Sequence, residues 1–155
     1  MPLKKTTKTK SPPKKRMSTK KETVNWLYKG REIKTIEDCE PNAFAFIYKI
    51  TLEDGRFYVG KKYMWKPKHT SGKNKGISKG MYPWQSYISS SVELKALIKS
   101  SIKYKKEILY FTYSKAETTY RETKEILCNN YLTDKNCLNY WVKATIFSKW
   151  LEEGS

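Results

Sequence analysis

The stretch AFAFIYKITLEDGRFYVGKKYMW, residues 43–65, sets Tyr48 and Tyr58 in β-forming text on either side of an Asp-Gly turn and follows them with Lys61 and Lys62. A free phenol ionises near pH 10 and is a poor base at neutral pH, but a neighbouring ammonium favours the phenolate. Phenols beside ammoniums can therefore move protons and hold an anion. Composition closes other routes. The single histidine, His69, cannot build a Cys/His zinc site, a Ser-His-Asp triad or an HNH-type metal motif. Cys39, Cys128 and Cys137 form no C-x-x-C pair, and their odd number argues against a disulfide framework and for a reducing compartment. Chemistry must fall to Tyr, Lys, Glu or Asn.

The 155 residues carry 32 Lys and Arg against 15 Asp and Glu, a formal charge of +17. Such an excess repels itself and would be relieved by a polyanion, so nucleic acid is the expected partner. No apolar run approaches the roughly 20 residues of a membrane-spanning helix, and no basic amphipathic helix stands out, so no membrane partner is expected.

The length suits one domain with tails. Residues 1–22 are Lys, Thr, Ser and Pro with almost nothing apolar, which predicts a disordered basic arm able to add phosphate contacts. No apolar signal-peptide core is present there. Residues 23–42 predict an extended or irregular N-terminal extension packing on the domain through Trp26 and Leu27, and residues 43–155 the domain itself. FAFIYKITL (44–52) and RFYVGKK (56–62) predict a β-hairpin. Residues 63–83 lack a sustained apolar period and predict a long exposed basic loop. Lys66, Lys68, Lys73 and Lys75 there, with Lys61 just before, offer phosphate contacts, and Trp65, Tyr82 and, at its end, Trp84 offer stacking surfaces.

VELKALIKSSI (92–102) predicts a helix, and KEILYFTY (106–113) a third strand. Residues 114–130 predict a second helix opened by a Ser114/Glu117 capping box, with Ala116, Tyr120, Thr123, Ile126 and Leu127 as its apolar stripe. Leu132, Leu138, Trp141, Val142, Ile146, Phe147 and Trp150 are apolar enough to close the core.

FIY (46–48), YVG (58–60), a helix with a glutamate after a tyrosine, and a trailing LN (138–139) occur in an order that resembles the GIY-YIG nuclease family, in particular small stand-alone members encoded by tailed bacteriophages. The likeness spans about residues 43–142. It implies an α+β fold, a small three-stranded mainly antiparallel sheet flanked by helices. It also implies a metal-dependent DNA endonuclease giving 5′-phosphate and 3′-hydroxyl ends, in the cytoplasm of a bacterial host; with no recognition helix or zinc module read after the domain, low sequence specificity is expected. By resemblance Tyr48 matches the tyrosine of the first motif, Tyr58 and Gly60 the second, Glu122 the metal glutamate and Asn139 the late asparagine. Phe46 stands where the family has glycine. No arginine occurs between Arg56 and Arg121, where the family has one on a helix; Lys62, Lys66 and Lys68 are the candidates to replace it, Lys62 first.

On that basis Tyr48 is the expected general base or proton relay, Tyr58 orients water or bonds the phosphate, and Lys62 stabilises developing negative charge. Glu122 would hold one Mg²⁺ or Mn²⁺ completed by waters and phosphate oxygens. Register supplies an internal condition. Tyr48 shares the face of Tyr58 and Lys62 only if Glu53, Asp54 and Gly55 form a three-residue loop with Gly55 left-handed; Gly60 then lies opposite Tyr48 and leaves room for a phosphate. Two other readings fit the same residues: a non-catalytic nucleic-acid-binding protein on this scaffold, and a basic structural protein that coats nucleic acid.

Overall fold

A computed structural model describes residues 23–146 and 148–152; the basic arm expected at 1–22 lies outside the described residues. Along the chain run β1 (Trp26–Tyr28), β2 (Arg31–Ile33), β3 (Ala45–Leu52), β4 (Phe57–Tyr63), α1 (Val92–Lys99), β5 (Tyr104–Thr112), α2 (Lys115–Cys128) and α3 (Ser148–Glu152). The fold is α+β, but the sheet is five-stranded and mixed rather than three-stranded and antiparallel. Its order is β2-β1-β5-β3-β4, with β1 parallel to β5 and the other pairs antiparallel. The two extra strands are three residues each, too short to show alternation in the sequence. Pairing and the burial of Trp26 make them strands. Its ring lies edge-on to Phe46 at 5.1 Å and Tyr48 at 5.3 Å, and its Nε1 donates to the Trp84 carbonyl at 2.9 Å.

The β3–β4 hairpin closes through the three-residue loop Glu53, Asp54 and Gly55. Leu52 N donates to Arg56 O at 2.8 Å and Gly55 takes φ +90°, a conformation glycine adopts without a Cβ penalty. Tyr48 accordingly pairs with Gly60. Alternation sends Phe46, Tyr48, Ile50 and Leu52 into one core with Trp26, Trp84, Leu94 and Ile98. Ile47, Phe57 and Val59 pack with Ile126 and Cys137 on the other face.

Helix α1 is capped by Ser91, whose Oγ accepts from Leu94 N at 3.2 Å, and ends three residues before Ile102. Helix α2 is capped by Ser114, but Glu117 returns its bond to Tyr113 N at 2.9 Å, one residue outside the expected box. Its inward face is also not the expected stripe. Thr118 and Ile126 are buried while Tyr120 and Leu127 are exposed. The reason is a polar contact: the Thr118 hydroxyl meets Thr112 Oγ1 at 2.7 Å and donates to Ser114 O at 2.6 Å. Of the residues expected to close the core, Leu138 is buried, whereas Leu132 and Trp141 are exposed. Phe147 and the side chain of Trp150 lie outside the described residues.

The segment 63–83 is not an open loop. Bridges at Trp65–Met81 and Lys68–Ser78, with Lys66 N to Gly80 O at 2.8 Å and Lys79 N to Pro67 O at 3.0 Å, make it an irregular hairpin that extends from β4. Trp84 is buried in the core rather than free to stack on a base. Trp65 is half-buried and donates from Nε1 to Ala43 O at 3.1 Å. Among the described residues no helix is long and apolar enough to cross a membrane.

Lys106 stands in the core at 2 % exposure. Its Nζ donates to Gln85 O at 3.0 Å and lies 4.2 Å from the Trp26 ring centre, and burial lowers its pKa from 10.5 to about 8. Because the folded state gives up this proton before the unfolded chain does, the burial penalty is complete below about pH 8 and is relieved as pH rises towards 10.5. The melting temperature of wild type relative to Lys106→Met is therefore expected to rise over that interval; a parallel pH dependence of the two proteins would contradict it.

Candidate active site

Strand β4 is an edge strand, and its outer edge is covered by residues 136–139. Phe57 N donates to Asn136 O at 2.9 Å, and Leu138 N donates to Phe57 O at 2.7 Å. At the next outward position Asn139 replaces backbone with side chain: its Oδ1 accepts from Val59 N at 2.9 Å and its Nδ2 donates to Val59 O at 2.8 Å. Asn139 is thus a clamp that locks the strand between Tyr58 and Gly60.

Around this clamped edge lies a cavity of about 490 Å³. Tyr58, Lys61, Glu122 and Asn139 line it, with Ser90 and Trp141 beside them. Side chains alternate across β4, so Tyr58 belongs to the face of Tyr48 and Lys62, whereas Lys61 belongs to the face covered by α2. The cavity straddles the strand edge and joins groups from both faces. Glu122 sits between Thr118 and Ile126 on the inward side of α2, and its Oε2 pairs with Lys61 Nζ at 2.8 Å, both side chains largely shielded. Lys61 Nζ also reaches Thr119 Oγ1 at 3.5 Å.

Tyr48 does not line the cavity. At 1 % exposure it stands behind Tyr58, ring centres 6.3 Å apart, with its hydroxyl 3.4 Å from Ser89 Oγ. Gly60 is where the two rings meet. A Cβ at that position would fall 2.6 Å from the Tyr48 hydroxyl oxygen and 2.9 Å from Tyr58 Cε1. The space opposite Tyr48 is therefore filled by its own ring and not left for a phosphate. The expected phenolates are reversed too. Burial raises the pKa of Tyr48 well above the ordinary value, and burial followed by the nearby Tyr87 outweighs the Ser89 hydrogen bond. Tyr58 is also raised, chiefly by burial, with the Glu122 charge adding to it against the Ser90 hydrogen bond. Both stay neutral phenols at physiological pH.

Lys62 lies outside the cavity. Its ammonium sits over the rings of Tyr82 at 4.6 Å and Tyr87 at 4.3 Å, and burial lowers its pKa. The lysine brought to the carboxylate is Lys61, which the pattern assigned to nucleic-acid contact. Lys66, Lys68, Lys73 and Lys75 are exposed on the hairpin extension, away from the cavity lining.

The family model described as "Putative endonuclease segE, GIY-YIG domain" matches residues 26–145, well over half of the chain. The chain belongs to the GIY-YIG nuclease family. No curated protein and no solved structure matches it. The match begins at Trp26, so the GIY-YIG unit here includes β1 and β2 as well as the hairpin. Sequence reasoning missed Tyr87, Ser90 and Tyr140 around this GIY-YIG site and placed Trp141 in the core. Ser89, Ser90 and Ser91 carried a capping signal, which only Ser91 fulfils. Tyr140 and Trp141 follow the asparagine directly, and both are 71 % exposed.

Among the described residues no group of three or more His, Cys, Asp or Glu could enclose a metal ion. A closed structural metal site is therefore not built from the described residues. The donor set fits a hard divalent cation that takes one carboxylate and completes its shell with water and substrate oxygens.

Gly60→Ala is expected to cost about 1–3 kcal/mol through overpacking of the two tyrosines. Asn139→Ala is expected to cost about 2–4 kcal/mol by freeing both Val59 backbone groups. Urea denaturation of the two variants against wild type measures both; a midpoint unchanged in either would refute the corresponding contact.

Proposed function

We propose that this protein is a metal-dependent DNA endonuclease of low sequence specificity whose reacting groups are Tyr58, Lys61 and Glu122. The observation that carries the reading is the joint lining of one cavity by those residues, with Lys61 and Glu122 paired at 2.8 Å in a family of endonucleases. A formal charge of +17 supports DNA as the polyanion.

Glu122 would hold one Mg²⁺ or Mn²⁺ together with waters and phosphate oxygens. Such an ion, when bound, would neutralise charge on the phosphate oxygens. The chain's own groups do the rest. Tyr58, neutral and half-buried, donates a hydrogen bond from its phenol to a phosphate oxygen or to the attacking water. Lys61 supplies the fixed positive charge that the family's arginine would give, and its 2.8 Å pairing holds the Glu122 carboxylate in place beside the cavity. Tyr48 is a positioning residue: wedged between Trp26, Gly60 and Ser89, it fixes the ring of Tyr58. Asn139 positions the strand. Exposed Tyr140 and Trp141 offer flat surfaces on which a strand entering the cavity can stack.

Incubation of plasmid with Mg²⁺ tests the reading. Nicking is expected for wild type and is lost with chelator. Glu122→Gln and Lys61→Ala are each expected to slow it by about 10²–10³-fold. Lys62→Ala, whose side chain does not line the cavity, is expected to lose under about fivefold, the scale of one charge outside the site. A larger loss for Lys62→Ala than for Lys61→Ala would reverse the assignment. DNA shifted in a gel but left intact under every condition would favour the non-catalytic binder.

Because the Tyr58 pKa lies above the ordinary tyrosine value, its proton is retained through neutral and mildly alkaline pH. Tyr58→Phe is thus expected to lower the rate by about 10–100-fold with the same pH profile as wild type between about pH 6 and 9. A rising limb present in wild type and absent in the variant would instead mark Tyr58 as the titrating base.

A further inference from the structure

A second cavity, of about 680 Å³, lies where the hairpin extension leaves β4 and meets the start of α2. Four aromatic side chains line it: Phe44, Tyr63, Trp65 and Tyr82. Phe44 and Tyr63 meet edge to face at 5.5 Å, and the indole of Trp65 is held by its bond to Ala43 O. The Lys62 ammonium sits over the Tyr82 ring at 4.6 Å, which gives this otherwise displaced lysine a place. The exposed Lys66, Lys68 and Lys115 also line the cavity, and none of its described lining residues is acidic. Its size is that of a small-ligand pocket. Flat apolar walls beside unopposed ammoniums suit a ligand with a planar ring and an attached anion.

We propose that this pocket receives an unpaired nucleobase of the DNA strand, stacked on the aromatics while Lys66, Lys68 and Lys115 hold the flanking phosphates. A paired base cannot enter, because its faces are covered by neighbours and its edge by its partner; a bulged, mismatched or single-stranded base can. The proposal rests on DNA as substrate of the neighbouring cavity, and the fold sets its distance. On β4, Tyr63 in the pocket is two residues from Lys61 in the cavity, about 7 Å along the strand. On α2, Lys115 in the pocket and Glu122 in the cavity are seven residues apart, about 10 Å along the helix. Both spans are only a few times the roughly 3.4 Å rise per nucleotide of a duplex strand, so the captured base falls within a few nucleotides of the cut. Sites would in this way be chosen by DNA structure.

Equilibrium binding of the full chain in chelator tests this without cleavage, using a matched duplex and the same duplex with one bulged 2-aminopurine. Wild type is expected to bind the bulged duplex at least about tenfold tighter and to quench the 2-aminopurine, the scale of one base stacked on an aromatic side chain. Tyr63→Ala, and separately Tyr82→Ala, is expected to bring that ratio to within about twofold of one and to relieve the quenching. Equal affinity of wild type for both duplexes, or a ratio that neither substitution changes while circular dichroism reports a folded protein, overturns the proposal. With Mg²⁺, wild-type cuts are expected to gather within a few nucleotides of the bulge, and cuts scattered relative to it also count against the pocket. If the binding ratio and quenching hold but no Mg²⁺ condition yields cutting, the pocket stands and the nuclease reading alone falls.

Discussion

A strand at the edge of a sheet turns half of its backbone N–H and C=O groups towards whatever lies beside it, and unpaired groups there invite either water or another chain. In β4 those groups at Phe57 and Val59 are taken by residues 136–139, the last of them through the amide of Asn139. This clamp ties a segment eighty residues away in sequence to the hairpin. It fixes where the C-terminal segment lies relative to Tyr58, while α2 is held on β4 separately by Ile126 packing and the Lys61–Glu122 pair. The cavity exists because the edge is covered that far along and no further.

Behind the edge, burial sets the electrostatics. Tyr48 is enclosed by Trp26, Gly60 and Ser89, and an anion there would lose its hydration with little to replace it. The same cost, smaller, falls on Tyr58. The phenols are therefore donors, and negative charge is concentrated on Glu122, where Lys61 balances it. A shielded pair of this kind contributes little net stability, since desolvation offsets attraction. What the pair does fix is geometry: it holds a carboxylate and an ammonium 2.8 Å apart on the wall of the cavity.

The N-terminal strands bear on the site from the opposite side. β1 adds itself parallel to β5, carries Trp26 beneath Tyr48, and sets the buried Lys106 against the Trp26 ring. The tyrosine that braces Tyr58 thus rests on a residue from the first described strand. This gives a physical reason for the family match to begin at Trp26, well before the hairpin motifs.

The sequence by itself determined whatever depends on neighbours in the chain. Asp54 and Gly55 marked the hairpin turn, and Gly55 suited the left-handed position of the three-residue loop that pairs Tyr48 with Gly60. Ser91 and Ser114 marked the helix starts, and the order FIY, YVG, glutamate, asparagine carried the family. Tertiary structure decided whatever depends on partners far along the chain. WLY and REI are too short for a period and become strands only beside β5. The inward face of α2 follows Thr118 and Glu122 because their partners, Thr112 and Lys61, are polar, which an apolar stripe cannot register. Lys61 and Lys62 are chemically alike and adjacent, so composition cannot choose between them; alternation across β4, with α2 on one face and Tyr82 and Tyr87 on the other, makes the choice.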